Sequence, residues 1–295
     1  MGFTELNSVE YFIIKQMTGV NLNQGQVAET PLKPYGADWQ FQSPEQIGRG
    51  VNEVLVESQV KEALIRLNPE IQGKPEFADE VIYKLRAILI SVNQIGLVKA
   101  NEEFFLWLTG EKTMPFGENN RHVSVRLIDF DDLTNNQYVI TNQYRIHHRE
   151  TKIPDVVMMI NGIPVVVGEA KTPIRPSVSW LDGANEVHNI YENAVPQLFV
   201  PNILSFATEG KELFYGAIRC PLEFWAPWRL EDGSDNRLGD QVAKSFGLGE
   251  VGKELKDLLS PARLLDIMHN FSLFTSNSKK QRMKVIPRFQ QYEGA

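Results

Sequence analysis

Cysteine is nearly missing from this sequence. Cys220 stands alone in 295 residues, so no internal disulfide can form and a reducing compartment is the natural setting. Cys220 has no catalytic context around it and reads as a small packed residue. No Cys/His set at zinc spacing is present. His147 and His148 are adjacent, so on a strand they would point to opposite faces and could not readily share a metal. No apolar run approaches the ~20 residues needed to cross a bilayer. Met1-Gly2-Phe3-Thr4-Glu5 lacks the basic start and apolar stretch of a secretory leader, and Leu6 spoils a myristoylation match at Gly2. A cytoplasmic protein without membrane contact is the expectation. No G-x-x-x-x-G-K-[ST] loop occurs, so this chain is not expected to hydrolyse ATP. No internal repeat or low-complexity tract is visible. An excess of positive charge is missing too. Lys and Arg total 30 against 37 Asp and Glu, for a net charge of −7, whereas a stand-alone DNA binder is normally basic.

What is present suits an ordinary globular protein, with 42% hydrophobic and 23% charged residues. The length allows a full core and more than one domain. Charge is unevenly placed: Arg145, Arg149, Lys152, Lys171 and Arg175 gather near the centre, and Lys279, Lys280, Arg282, Lys284 and Arg288 near the end. Composition alone leaves a local basic path and a scatter of solvated side chains equally open.

Periodicity predicts a helix over 8–18, with Ser8 as N-cap and Gly19 as stop. Residues 20–50 read as irregular. Val54, Leu55, Val60, Leu64 and Leu67 predict a helix over 51–67, closed by Asn68-Pro69. Further helices are expected over 77–92 and 97–110. The pattern then changes to strands at Val123–Ile128 and Tyr138–Ile146, with a turn at Asn135-Asn136. Two apolar runs follow, Asp155–Ile160 and Ile163–Val167, joined by Asn161-Gly162, the strongest hairpin signal in the chain. A helical stretch over 184–198 leads to strands at Ile203–Ala207 and Leu213–Gly216. Residues 231–250 read as loop. Leu255–Leu259 and Arg263–Asn270 read as helical, and Val285–Phe289 as the start of a new strand or unit. Helices first and then a strand-rich centre with flanking helices mean an α/β or α+β sheet domain.

The hairpin carries the chemistry. Its interior from Val156 to Val167 is almost wholly apolar, so both faces are expected to be buried. Yet Asp155, Glu169 and Lys171 stand at its open end, where charge costs several kcal/mol of desolvation unless paired, solvated or metal-bound. Glu169 and Lys171 are two apart and share a face. A strict two-residue turn would pair Asp155 with Gly168 and put the two carboxylates on opposite faces. An odd-length loop or a bulge reverses that parity. Gly162 suits a left-handed loop position and Gly168 a bulge, and Pro164 interrupts the ladder. We therefore expect such an irregularity here. Two converging carboxylates suit a hard cation such as Mg²⁺, with the Ala170 carbonyl as a further ligand. Lys171 is placed to orient water or stabilise charge on a phosphate. Without the cation the carboxylates repel, and one pKa should rise. A plainer account makes Glu169 and Lys171 a surface ion pair and Asp155 a strand cap. Trp225 and Trp228 offer either stacking on bases or packing at the sheet edge.

At this hairpin the sequence resembles the P-D…E-x-K nuclease superfamily and, more closely, the N-terminal nuclease region of type I restriction enzyme R subunits. Pro154-Asp155, Asn161-Gly162-Ile163-Pro164 and Glu169-Ala170-Lys171 carry the likeness. Val125-Arg126-Leu127-Ile128-Asp129-Phe130, Asn135-Asn136-Gln137-Tyr138, Pro196-Gln197-Leu198-Phe199, Ala207-Thr208-Glu209-Gly210-Lys211, Leu264-Leu265-Asp266-Ile267-Met268-His269-Asn270-Phe271 and Arg288-Phe289-Gln290-Gln291-Tyr292 follow in order. The resemblance implies a restriction-endonuclease-like mixed sheet flanked by helices, with a helical N-terminal part. It divides the chain into an arm (1–50), an endonuclease-like domain (51–230) and a linker (231–295) towards a helicase-like motor absent from this chain.

The resemblance also implies Asp155 and Glu169 as metal ligands, Lys171 as catalytic lysine, and an added acid from the first helix, for which Glu10 is the candidate and Glu57 a weaker one. The family's Gln-x-x-x-Tyr motif is not intact, because Val187 stands four before Tyr191. Glu186, His188 and Tyr191 are accessory candidates. The implied activity is Mg²⁺-dependent hydrolysis of duplex DNA, that of a type I site-specific deoxyribonuclease. ATP would serve only the full-length protein. Methyltransferase and specificity subunits and the motor are the implied partners. Two rivals stay open: a catalytically silent nuclease-fold module for DNA contact or docking, and a pure subunit-assembly domain.

Overall fold

The computed structural model describes residues 9–24, 36–172, 177–229 and 248–295. Seven strands form one mixed sheet in strict chain order. They are β1 (Gln40–Phe41), β2 (Tyr138–Asn142), β3 (Val156–Ile160), β4 (Ile163–Ala170), β5 (Leu204–Thr208), β6 (Leu213–Gly216) and β7 (Ala226–Pro227). β1 runs parallel to β2 and β4 parallel to β5, while the other neighbours are antiparallel. Every residue of β2, β3, β4 and β5 is buried, as their nearly unbroken apolar sequences require.

Helices flank this sheet. They include α1 (Tyr11–Thr18), α2 (Glu57–Leu67), α3 (Glu76–Ile95), α4 (Leu97–Leu108), the shorter α5 (Trp180–Asn185) beside β4 and β5, and α6 (Leu248–Leu258). In α3, Ala78, Val81, Ile82, Leu85, Leu89 and Val92 are buried, at the three- and four-residue spacing of one helix face. Among the described residues, no helix is long and apolar enough to cross a membrane. The α/β architecture expected from the sequence is therefore present, with the mixed sheet at its centre.

Several boundaries differ from expectation, each for a local reason. α1 ends at Gly19 with φ +78°, as expected, but Ser8 lies outside the described residues. The second helix begins at Glu57, not at 51. The Val56 N–H is taken by the Gly162 carbonyl at 2.9 Å, which anchors the chain to the hairpin before the helix starts. Val54 and Leu55 are core residues without being helical. The strand expected over 123–128 is only Val123–Ser124, paired with Thr113–Met114. Beyond it, both backbone groups of Arg126 bond the Asn68 side chain, at 2.7 and 2.8 Å. β2 stops at Asn142 because Gln143 takes φ +47°. Residues 20–50 contain β1. Residues 230–247 lie outside the described residues, and 248–250 open α6. Instead of a new strand at 285–289, Arg282–Val285 pairs with Leu273–Ser276 and a short helix forms over Phe289–Glu293.

Candidate active site

The β3–β4 hairpin turns through two residues, Asn161 (φ +51°) and Gly162 (φ +77°), with Ile160 opposite Ile163. Positive φ at both central positions is the type I′ geometry that Asn-Gly favours. A Cβ on Gly162 would also lie 2.6 Å from the Val56 carbonyl oxygen. Asn161 is buried and fully engaged. Its Oδ1 accepts from the Gln137 N–H at 2.8 Å, and its Nδ2 donates to the Leu127 carbonyl at 2.8 Å and Asn136 Oδ1 at 2.9 Å.

The register then shifts. Met159 faces Pro164 but Met158 faces Val166, so Val165 is an extra residue on β4. This is the parity change on which the two carboxylates depend. Val156 pairs with Gly168, and one further step sets Asp155 opposite Glu169. The bulge sits beside Pro164, not at Gly168. Gly168 is needed for another reason: a Cβ there would lie 2.1 Å from the Phe206 ring.

Around this end the acids converge. Asp155 Oδ2 accepts from the Ala170 N–H at 2.9 Å, and Oδ1 from Gln143 Nε2 at 3.1 Å. Glu169 is 2% exposed, and its Oε2 is buried with no hydrogen-bond partner. Its Oε1 accepts from Lys171 Nζ at 2.7 Å. Lys171 Nζ also reaches Glu186 Oε2 at 2.6 Å, and Tyr191 OH donates to Glu186 Oε1 at 2.9 Å. Glu10, 1% exposed, accepts from Asn142 Nδ2 at 2.5 Å and from Gln143 Nε2 at 2.9 Å. The structure thus gathers Asp155, Glu169, Lys171, Glu10, Glu186 and Tyr191.

Two other candidates lie apart. His188 turns towards Glu192, its Nδ1 3.9 Å from the carboxylate, which Arg219 also holds. Glu57 is paired with Arg86 on neighbouring helices. Arg175 lies outside the described residues. The basic clusters are also largely committed. Lys152 pairs with Glu150 and Arg282 with Glu102, and Lys284 is buried against the Asn202 carbonyl. Trp225 and Trp228 are buried, with Trp228 Nε1 donating to Asp257 at 2.7 Å, so neither indole face is free for a base.

The electrostatics follow from burial. Desolvation first, then the Asp155 charge, push the Glu169 carboxyl well above the usual carboxylate range. Asp155 is also raised by desolvation, against the stabilising Ala170 N–H and Lys171. Glu10 is pushed up to about 8, chiefly by burial, partly offset by Asn142 and raised further by Asp155. Burial alone would lower the Lys171 pKa, but Glu169 and Glu186 outweigh it and raise it. Buried acids with raised pKa values and an unpartnered oxygen fit a site that a cation completes. Among the described residues no three His, Cys, Asp or Glu side chains form a ready-made cage. A magnesium ion does not need one, since it commonly takes one or two carboxylates and fills its shell with water and phosphate.

Two positioning residues escaped the sequence reading. Gln143 bonds Glu10 and Asp155 from one nitrogen, and nothing in its sequence context marks it. Gly183 brings α5 against the site, where a Cβ would lie 3.2 Å from Ala207 Cβ and 3.4 Å from Glu169 Cγ. Its only sequence signal is a glycine early in a helix.

The chain matches the family described as type I restriction enzyme R protein N terminus over residues 22–223. It belongs to that family. It is 29% identical over 265 residues to the type I restriction enzyme HindI endonuclease subunit of Haemophilus influenzae, covering 88% of this chain and 24% of that relative. A proposed type I restriction enzyme MjaVIIIP endonuclease subunit from Methanocaldococcus jannaschii is 26% identical over 248 residues, covering 83% of this chain and 22% of that relative. The chain therefore spans about a quarter of the length of the curated relatives it matches. The family match takes in the whole hairpin and the Glu186–Tyr191 segment. It begins after Glu10.

Proposed function

We propose that this chain is the Mg²⁺-dependent nuclease region of a type I restriction enzyme R subunit, hydrolysing phosphodiester bonds of duplex DNA. The observation that carries the reading is the bulged hairpin. It brings Asp155 and Glu169 together at one end, leaves a Glu169 oxygen without a partner, and sets Lys171 beside them. Asp155 and Glu169 would hold the ion. The N–H and C=O of one strand residue point the same way, so the Ala170 carbonyl lies on the side from which its N–H meets Asp155. Bound Mg²⁺ would lower the pKa of a water and neutralise phosphate charge.

The remaining work falls to the chain's own residues. Gln143 and the Ala170 N–H fix the Asp155 carboxylate, so it needs no reorientation. The apolar body of the hairpin keeps bulk water from its inner side. The Lys171 ammonium supplies a positive charge where negative charge builds on phosphate oxygens as the water oxygen bonds to phosphorus. One P–O ester bond breaks, and a proton given up by the attacking water is matched by one taken up on the leaving oxygen, so the products are a phosphate monoester and an alcohol.

ATP hydrolysis and translocation would fall to a helicase-like motor of the same full-length polypeptide, and sequence recognition to a separate specificity subunit that assembles with a methyltransferase subunit, all in the cytoplasm. The chain's net charge of −7 fits a domain that relies on partners to hold DNA. A second reading is a nuclease-fold module retained for DNA contact or docking. It is favoured by the altered Gln-x-x-x-Tyr stretch, where Val187 stands four before Tyr191.

Cleavage of supercoiled DNA by the full-length assembled enzyme with Mg²⁺ separates the two. The nuclease reading expects Asp155→Ala and Lys171→Ala each to slow cleavage by at least about a hundredfold, with assembly unchanged. Equal cleavage by all three proteins would favour the docking module.

A further inference from the structure

Glu186 and Tyr191 are five residues apart, a spacing that an ordinary α-helix does not put on one face. Here they meet at 2.9 Å. The reason is local. Residues Glu186–Tyr191 form a π-helical turn between α5 and the short helix Glu192–Ala194. The Glu192 N–H reaches back five residues to the Val187 carbonyl. A π turn is an α-helix with one residue added, and such turns recur at functional sites. The added residue brings Tyr191 back over Glu186. On this turn Ile190 is solvent-exposed, while Val187 and Tyr191 are buried, so Tyr191 faces inward.

We infer that the π turn builds a Tyr191–Glu186 clamp that positions the Lys171 ammonium for the reaction. This rests on the nuclease reading above. Lys171 has two carboxylate partners, Glu169 at 2.7 Å and Glu186 at 2.6 Å. Glu169 is the one a cation would claim. Glu186 stands on a different element and stays free to hold the lysine when Glu169 is engaged. Both Glu186 oxygens are used, Oε2 by Lys171 and Oε1 by Tyr191, so the tyrosine fixes the rotamer that faces the lysine. Without the clamp, Lys171 would swing between solvent and Glu169. The clamp acts through Lys171, so Glu186 and Tyr191 are positioning residues.

The test uses the full-length subunit in its assembled enzyme, with single-turnover DNA cleavage, DNA affinity and ATPase rate read in parallel. Glu186→Ala is expected to slow cleavage by about ten- to a hundredfold, leaving DNA affinity and ATPase within twofold. Glu186→Gln, which can still accept from Lys171 and bond Tyr191, should recover most of that loss. In a Lys171→Ala background, Glu186→Ala should add no further slowing, because the two act as a unit. Full additivity in that background, or a parallel loss of DNA affinity, overturns the clamp.

A double-mutant unfolding cycle on this chain, Lys171→Ala with Glu186→Ala, judges the contact without any cleavage. The clamp expects a coupling of at least about twofold in the unfolding constant. No coupling overturns the clamp even if the enzyme cuts. Strong coupling in an enzyme that does not depend on Asp155 would overturn the nuclease reading and, with it, the catalytic purpose of the clamp.

Discussion

Glu10 and Asp155 accept hydrogen bonds from the same nitrogen, Gln143 Nε2, at 2.9 and 3.1 Å. One amide thus joins the residue just before α1 to the mouth of the hairpin, across more than a hundred residues of chain. Gln143 follows β2 with φ +47°, and from that position its side chain reaches both acids.

This junction makes stability depend on pH. The Glu10 pKa is raised by burial to about 8, so folding favours its protonated form. Its contribution is fully present below the unfolded value near 4.5 and is lost as pH rises through about 8. Asp155 and Glu169 shift in the same direction. Without metal, the chain should therefore weaken between about pH 5 and 8, by several kcal/mol at most. Urea midpoints of Glu10→Gln across that range should fall less steeply than those of the wild type. Parallel curves would show that Glu10 does not titrate there.

Gly168→Ala should destabilise the chain by about 1–3 kcal/mol, the usual cost of overpacking. The added methyl would lie 2.1 Å from the Phe206 ring, in a strand pair buried on both faces. Pairing the change with Phe206→Leu, which opens the space, should recover part of the loss in a urea titration. No recovery would mean that the cost lies elsewhere.

Asn161 combines a strained backbone with a buried side chain, and two substitutions separate the terms. Asn161→Gly keeps φ +51° without penalty but leaves the Gln137 N–H, the Leu127 carbonyl and the Asn136 side chain short of a partner. Roughly 2–4 kcal/mol should be lost. Asn161→Ala should cost about 1 kcal/mol more, because alanine dislikes the left-handed region. Equal effects in denaturant unfolding would show that the turn relaxes out of that region.

Much of this site was legible because the hairpin is a closed problem in parity. Asn161-Gly162 fixes the turn. Asp155 and Glu169 share a face only if one residue is added, and Pro164 marked the strand that would carry it. The bulge at Val165 is the outcome. Gly168 was misread as the bulge position because a glycine in a strand serves equally for close approach, here of the Phe206 ring. The helix start at Glu57 and the shortened strand at Val123–Ser124 were not legible, since each is set by one distant partner, Gly162 and Asn68. Glu10 was reachable as an acid near the first helix, but Gln143 was not. The Glu186–Tyr191 pairing was hidden by its spacing, because periodicity assumes an unbroken α-helix and the π turn adds a residue.

The account turns on Asp155 and Glu169 sharing one divalent cation. Mn²⁺ soaked into crystals of the chain, located by anomalous diffraction, tests this most directly. The account predicts a single peak bonded to one oxygen of each carboxylate, at roughly 2 Å, and its disappearance in Asp155→Ala. A peak elsewhere, or an unoccupied pair with Lys171 still locked on Glu169 at saturating Mn²⁺, would contradict it.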